Sequence, residues 1–279
     1  MLQPWMIPSD LAPGDAKSAT LDWTGYELHR IRSIDEPLFS AAFYPLWQEF
    51  HAGNEIEQPD VLADRMKWNP AELVNGIALL YELLLITRNG EFVGVRDQTA
   101  IVRPEFGTAV VHLSHNLVAP PYRRSGIAGW LRALAIQTAR ACLTAQNLSP
   151  NGQVYLVGEM EPANPSNEAR TVRLTAYEKA GYRKVDPSRV RYLQPDFRSP
   201  AEIDASPGPQ PVPLNLLVRK VGRESETEIR AETVHRIATC LYEMYAMEFR
   251  PQDMEGVWRN LTHFPRGEEL IDLLPPTFS

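Results

Sequence analysis

Between Leu117 and Ala128 the chain reads Leu-Val-Ala-Pro-Pro-Tyr-Arg-Arg-Ser-Gly-Ile-Ala, a stretch suited to holding a diphosphate. Gly126 and Ala128 leave the start of a helix nearly bare of side chains. An anion can then approach the N–H groups that a first helical turn leaves unpaired, at the positive end of the helix dipole. Arg123 and Arg124 stand beside this turn and can add charge-assisted contacts to phosphate. Ser125, Ile127 and Gly129 supply the rest of its backbone.

Two elements must position such a turn. The one before it is a strand over 109–117, rich in Val and Leu, which Pro120 and Pro121 end because proline has no N–H for a ladder. The one after it is a helix to about Leu143, with Ile127, Leu131, Leu134, Ala135, Thr138, Ala139 and Cys142 along one face.

Composition narrows the function classes. A net charge of −7 over 279 residues argues against a broad nucleic-acid surface, which needs a basic face. Two cysteines, Cys142 and Cys240, make neither a disulfide framework nor a Cys-x-x-Cys metal pair, so no metal is expected. The first residues lack a basic segment followed by an apolar run, and no run approaches a membrane span, so a cytoplasmic protein with no membrane partner is expected.

Residues 1–25 read as an irregular arm, with Pro4, Pro8 and Pro13 breaking regular structure and Trp5 and Trp23 docking it on the body. Residues 26–34 suit a first strand. Asp35-Glu36-Pro37 opens a helix that Pro45 should break or kink, Gly53-Asn54 ends that region, and a second helix is expected from Pro59 to about Asn75, with a break before Pro70 as the alternative. Strands over 81–87 and from Phe92 flank an Asn89-Gly90 hairpin turn. After the central strand–turn–helix come a strand over 154–160, a break at Glu161-Pro162-Ala163-Asn164-Pro165, a helix over 167–180 stopped by Gly181, and a strand from Tyr182. A proline-rich loop over 195–213 precedes a last body strand over 214–221. Ser225 to Phe249 reads as one long amphipathic helix with a Ser225-x-x-Glu228 capping box, packed on the body or paired in a homodimer, the former preferred. The tail from Pro251 is expected to wrap the surface.

The pattern Arg123-x-x-Gly126-x-Ala128, entered from a strand end, resembles motif A of the GCN5-related N-acetyltransferases, where it is Gln/Arg-x-x-Gly-x-Gly/Ala. The order of elements over roughly 26–222 is also that family's. The resemblance implies an α/β (α+β) fold: a central mixed, mostly antiparallel sheet flanked by helices, with a splayed strand pair at the acyl-CoA site. Residues 223–279 would then be a helical extension.

Such a resemblance implies an acyltransferase that moves acetyl from acetyl-CoA to a primary amine on an acceptor, expected to be a small molecule. A non-catalytic protein that binds CoA as a sensor or scaffold is the alternative. The strand before the turn would carry a bulge, and free backbone groups of Asn116, Leu117 and Val118 would bind the pantetheine arm. His112, fourteen positions before Gly126, stands where several members carry a general base; an ordinary histidine, with a pKa of about 6.5, is mostly neutral at pH 7 and can take a proton. Glu159 and Glu161 are the runners-up and candidate ligands of a cationic acceptor. Tyr177, in Tyr177-Glu178-Lys179-Ala180-Gly181-Tyr182, matches the family's Tyr-x-x-x-Gly-Phe, whose tyrosine lies near the CoA sulfur and acts as general acid. The family often places an Asn seven residues earlier; here that position is Arg170.

Overall fold

A computed structural model describes residues 1–53, 55–164 and 166–278; Asn54 and Pro165, at which a stop and a break are expected, lie outside the described residues with Ser279. The chain runs through Tyr26–Ile31 (β1), Phe39–Phe50 (α1), Pro59–Arg65 (α2), Ala78–Arg88 (β2), Glu91–Arg103 (β3), Thr108–Val118 (β4), Ile127–Ala145 (α3), Val154–Met160 (β5), Glu168–Lys179 (α4), Arg183–Val185 (β6), Tyr192–Gln194 (β7), Pro200–Asp204 (α5), Val212–Lys220 (β8), Glu228–Arg230 (β9), Ala231–Tyr245 (α6), Pro251–Leu261 (α7) and Leu270–Leu274 (β10). Apolar runs such as Leu83-Leu84-Leu85-Ile86 form strands covered on both faces.

The strands form one sheet in the order β1-β2-β3-β4-β5-β8-β6-β10-β9, with β7 on β8. Every pairing is antiparallel except β4 with β5. This is the central mixed, mostly antiparallel sheet that the resemblance implies. Alternate residues serve opposite faces, as a pleated strand requires. Ala100, Val102, Ala109 and Val111 face α3 and α4, together with Leu174 and Tyr177. Ile101 and Val110 face α6 and α7. Tyr81, Leu83 and Leu85 continue that second face under α1 and α2.

Three local expectations change. The second helix stops at Arg65 rather than near Asn75. The Asn69 carboxamide accepts from Ala71 N–H, and Pro70 holds Asn69 away from helical geometry. Pro45 lies inside α1 without ending it, because Phe43 and Leu46 on either side are buried against the sheet. The proline-rich loop contains α5, begun by a capping box of Ser199 and Glu202.

The largest change is at the C-terminus. Glu228 does not start a helix: Glu228–Arg230 is β9, and α6 begins at Ala231. Of the apolar stripe expected along that helix, Ile229 falls on β9, and Val234, Ile237, Ala238, Leu241, Met244 and Tyr245 are buried on α6 against this chain's own sheet. The tail does not merely wrap the surface. It forms α7 and then β10, which pairs with both β6 and β9. The extension from 223 onward thus adds strands to the sheet as well as helices.

The arm docks as expected, through short 3-10 turns. Met6, Leu11 and Trp23 are buried, at about 1.5–3 kcal/mol for each large apolar side chain. Trp23 stacks edge-on against both Tyr26 and Trp130 of α3. Asp10 pairs with Arg140 and Asp15 with Arg132, both on α3.

Candidate functional site

The sheet opens where β4 and β5 part. The two strands pair in parallel from Ala109–Val154 to His112–Val157, and no pairing continues beyond. β4 runs on to Val118 and β5 to Met160, so a gap widens between them. A bulge in β4 lies at the same level. Arg96 of β3 faces Asn116 and Gln98 faces Leu113, so Ser114 and His115 together oppose Asp97. The Ala119 N–H is donated to Val93 O at 2.9 Å. By the two-residue alternation of an antiparallel ladder, Leu117 also faces β3, while Asn116 and Val118 turn their backbone groups to the gap. Leu117, expected to offer free backbone groups, is therefore committed to the sheet.

Past Val118 the chain makes a 3-10 turn at Pro120–Tyr122 and enters α3 with no side-chain cap. Among the described residues, the N–H groups of Arg124, Gly126, Ile127 and Ala128 have no hydrogen-bond partner. Two other expected donors are spent locally: Ser125 N–H goes to Tyr122 O and Gly129 N–H to Gly126 O. Arg123 lays its Nε on Val118 O at 3.2 Å, over the mouth of the gap. Arg124 holds a left-handed φ of 62° and Gly126 one of 93°. Backbone strain of this kind gathers at ligand-binding turns. The result is a cradle of unpaired donors at the start of a 19-residue helix, flanked by two exposed arginines.

One wall of the cradle comes from a part of the chain the motif does not include. A Cβ on Gly126 would stand 2.6 Å from Ser18 Oγ, and one on Gly129 2.9 Å from Asp15 Cγ. The arm thus packs against the turn's bare side and leaves its N–H groups unpaired.

His112, the last residue of the parallel pairing, lies under α6. Its Nε2 contacts Glu159 Oε2 at 2.8 Å, and its Nδ1 contacts Ser114 Oγ at 3.2 Å. The Tyr245 hydroxyl donates to the same Glu159 oxygen, and Gln194 Nε2 reaches it at 3.2 Å. Burial pushes the Glu159 carboxyl up, but His112 foremost and the tyrosine donors outweigh it, so the group stays below the usual carboxylate range. Among the described residues its other oxygen, Oε1, is buried without a partner. Ser114 is partly exposed at the bulge and links His112 to the gap.

Glu161, the other expected acceptor ligand, is not brought to this cluster: it pairs with Arg170 and Arg173 of α4. The residue standing in the family's Asn position is therefore an ion-pair partner. Asn167 caps α4 by accepting from Arg170 N–H.

Tyr177 lies on the opposite face of the sheet from His112. Its ring meets Gly158, the first β5 residue past the paired segment, with Cε1 3.9 Å from where a Cβ would be. Its hydroxyl accepts from Arg96 Nη2 at 3.2 Å. The gap is thus flanked by His112 on one face and Tyr177 on the other.

Near His112 a second ionic network crosses the α1, α2 and α6 side. Arg65, buried, pairs with Glu57 and Glu248. Asp97 contacts His115 Nδ1 at 2.9 Å, and His115 Nε2 meets Glu55 O at 2.6 Å. The bulge puts His115 and His112 on the same side, where strict alternation would separate them. Burial opposes charge on His115, but the Asp97 carboxylate outweighs it and raises the pKa from 6.5 to about 9. A histidine whose folded pKa lies above its unfolded one stabilises fully below about pH 6.5 and loses that contribution as pH rises through about 9. A shift of this size corresponds to about 3 kcal/mol. Urea denaturation should show that loss between pH 6.5 and 10, with a smaller loss in His115→Gln. A flat wild-type curve over this window would contradict the pairing.

Sequence reasoning alone missed Ser114, Tyr245, Gln194 and Arg96. Ser114 had a local signal, standing two residues from His112 on the strand. Tyr245 had none, because in sequence it is one more member of an apolar stripe.

No protein-family model and no curated protein matches this chain. Solved structures do. The ribosomal-protein-S18-alanine N-acetyltransferase of Escherichia coli is similar at 14% identity over 70% of this chain and 94% of that one, with a TM-score of 0.34. An acetyltransferase of Streptococcus agalactiae is similar at 15% identity over 71% and 99%, with a TM-score of 0.37. A putative acetyltransferase of Salmonella typhimurium, solved with acetyl-CoA, is similar at 15% over 71% and 95%, with a TM-score of 0.35. Likeness at this level says nothing about acceptor or mechanism. Among the described residues, no helix is long and apolar enough to cross a membrane, and no group of three or more His, Cys, Asp or Glu is placed to hold a metal ion.

Proposed function

We propose that this chain, which has the fold of the GCN5-related N-acetyltransferases, transfers an acyl group from an acyl-coenzyme A to a primary amine on a small molecule. The observation that carries the proposal is the junction of the β4–β5 gap with a helix start whose N–H groups at Gly126, Ile127 and Ala128 are unpaired. A diphosphate fits such a cradle, and an extended amide-bearing arm fits a strand edge. Arg123, Arg124, Asn116 and Val118 are the further donor contacts in this reading, with Arg123 leaving Val118 O as the arm enters.

Direct transfer forms one C–N bond and breaks one C–S bond. The amine loses a proton and the departing thiolate gains one. In this reading the amine's proton passes through Ser114 Oγ to His112 Nδ1, while Glu159 holds the ring by its Nε2 and stabilises the imidazolium. Tyr177 protonates the thiolate from the opposite face. Its oxygen already accepts from Arg96, which leaves its own proton free to point at sulfur. Acceptor and donor then meet through the gap from opposite faces. The unpartnered oxygens Glu159 Oε1 and Glu57 Oε2 support an ammonium-bearing acceptor on the α1–α6 side.

The test is thiol release from acyl-CoA with a panel of primary amines, alongside calorimetry with CoA itself. Binding plus amine-dependent release is expected. Binding without release from any amine would favour a CoA sensor or scaffold, and no binding would end the acyl-CoA reading.

A further inference from the structure

Arg96 is buried on β3 with 1% of its surface exposed, on the same face as Tyr177. Among the described residues it has no carboxylate partner. Its single side-chain hydrogen bond goes to the Tyr177 hydroxyl, and its Nε and Nη1 are buried with no partner at all. An unpaired buried guanidinium is costly, and chains keep such charges where an anion completes them.

The placement indicates which anion. The side chain reaches Tyr177, whose ring meets Gly158 at the edge of the gap. Across from it on β4, Asn116 holds a buried Oδ1 without a partner among the described residues. Two more buried arginines lie around the same tyrosines. Arg132 sits 6.0 Å from the Tyr177 ring, and Arg219 on β8 acts on Tyr182 together with Arg96 and Arg132. Those two are neutralised by Asp15 and Glu224. Arg96 alone is left, one hydrogen bond from the hydroxyl assigned to the leaving sulfur.

We propose that Arg96 receives a carboxylate carried by the acyl chain, so that the preferred donor is the CoA thioester of a dicarboxylic acid. This rests on the acyl-transfer reading above. Acetyl, the donor implied by the sequence resemblance, has nothing to offer Arg96. A malonyl, succinyl or glutaryl chain ends in a carboxylate that can accept a charge-assisted hydrogen bond from an unpartnered guanidinium N–H of Arg96, at Nε or at Nη1.

Calorimetry with CoA, acetyl-CoA, malonyl-CoA, succinyl-CoA and glutaryl-CoA tests this without knowledge of the acceptor. At least one dicarboxylic ester should bind about 10–100-fold tighter than acetyl-CoA, the range for a charge-assisted pair. Which ester wins reports the chain length. In Arg96→Met the preference should vanish, and the melting temperature should hold or rise because an unpaired buried charge is gone. If wild type binds all esters equally, or if Arg96→Met weakens every ester and free CoA alike, Arg96 serves the common part of the donor and the proposal fails. If neither CoA nor any ester binds, the acyl-transfer reading itself fails. The wild-type series decides even if the variant does not fold.

Discussion

His112→Ala should lower turnover by about 10²–10⁴-fold, the usual range for loss of a general base, with little change in donor affinity. The small change in affinity follows from the placement: His112 lies under α6, across the sheet from Tyr177 and away from the turn before α3. In the wild type, activity should rise with pH, and that limb should be absent in the variant. Glu159→Gln offers a finer version. It keeps size and one acceptor oxygen but removes the charge facing the imidazolium, so it should lower turnover without removing the ring. Tyr177→Phe keeps the packing against Tyr182 and Gly158 and removes only the hydroxyl that accepts from Arg96. It should slow acylation and cost about 1–3 kcal/mol of stability, because Arg96 loses its one side-chain hydrogen bond. Wild-type turnover and an unchanged pH limb in both His112→Ala and Tyr177→Phe would remove these residues from proton transfer, leaving positioning and ordered water as the account.

Gly126→Val should be the most damaging single change at the turn, and more so than the motif alone suggests. The sequence implies a substitution that blocks a diphosphate and spares the fold. The tertiary structure changes that expectation. A Cβ there would meet Ser18 Oγ at 2.6 Å, and the backbone φ of 93° is one that a β-branched residue resists. The strained backbone alone costs about 1–3 kcal/mol, and unseating the arm adds to it. Denaturation should show that loss, and calorimetry a loss of CoA binding. Ser18→Gly in the same chain should recover the steric part and leave the backbone part. Arg124→Gly separates binding from folding. It relieves a φ of 62°, so stability should hold or rise by up to about 1 kcal/mol, while CoA affinity falls with the lost guanidinium. Equal CoA affinity in wild type, Gly126→Val and Arg124→Gly would move the diphosphate elsewhere.

What the sequence determined by itself is what depends on neighbours along the chain. Pro120 and Pro121 must end a strand, and a nearly bare helix start must leave N–H groups unpaired; both hold at the turn before α3. The Asn89-Gly90 hairpin takes the positive φ values its residue types favour, and Gly181 ends α4 in the same way. The buried run of β2 and the stripe of α3 could each be read from period and polarity. His112 and Tyr177 could be singled out as candidates because each sits at a fixed offset from such a local signal.

Tertiary structure decided everything that depends on which distant segment comes alongside. Glu228–Arg230 carries a helix-start signal, yet Leu270–Asp272 arrives to pair with it, and three ladder partners outweigh a capping preference worth about 1 kcal/mol. A strand of three to five residues has too short a pattern to announce itself, so β9 and β10 exist only through each other and β6. The bulge at Ser114–His115 puts two histidines on one face, and no spacing in the sequence encodes it. Glu159 and Tyr245 meet His112 from 47 and 133 residues away, and Ser18 closes on Gly126 from the arm. Arg96 looks in sequence like any charged strand residue. Only burial reveals that its charge is unpaired, because pairing is a property of the space around a side chain, which a single strand does not specify.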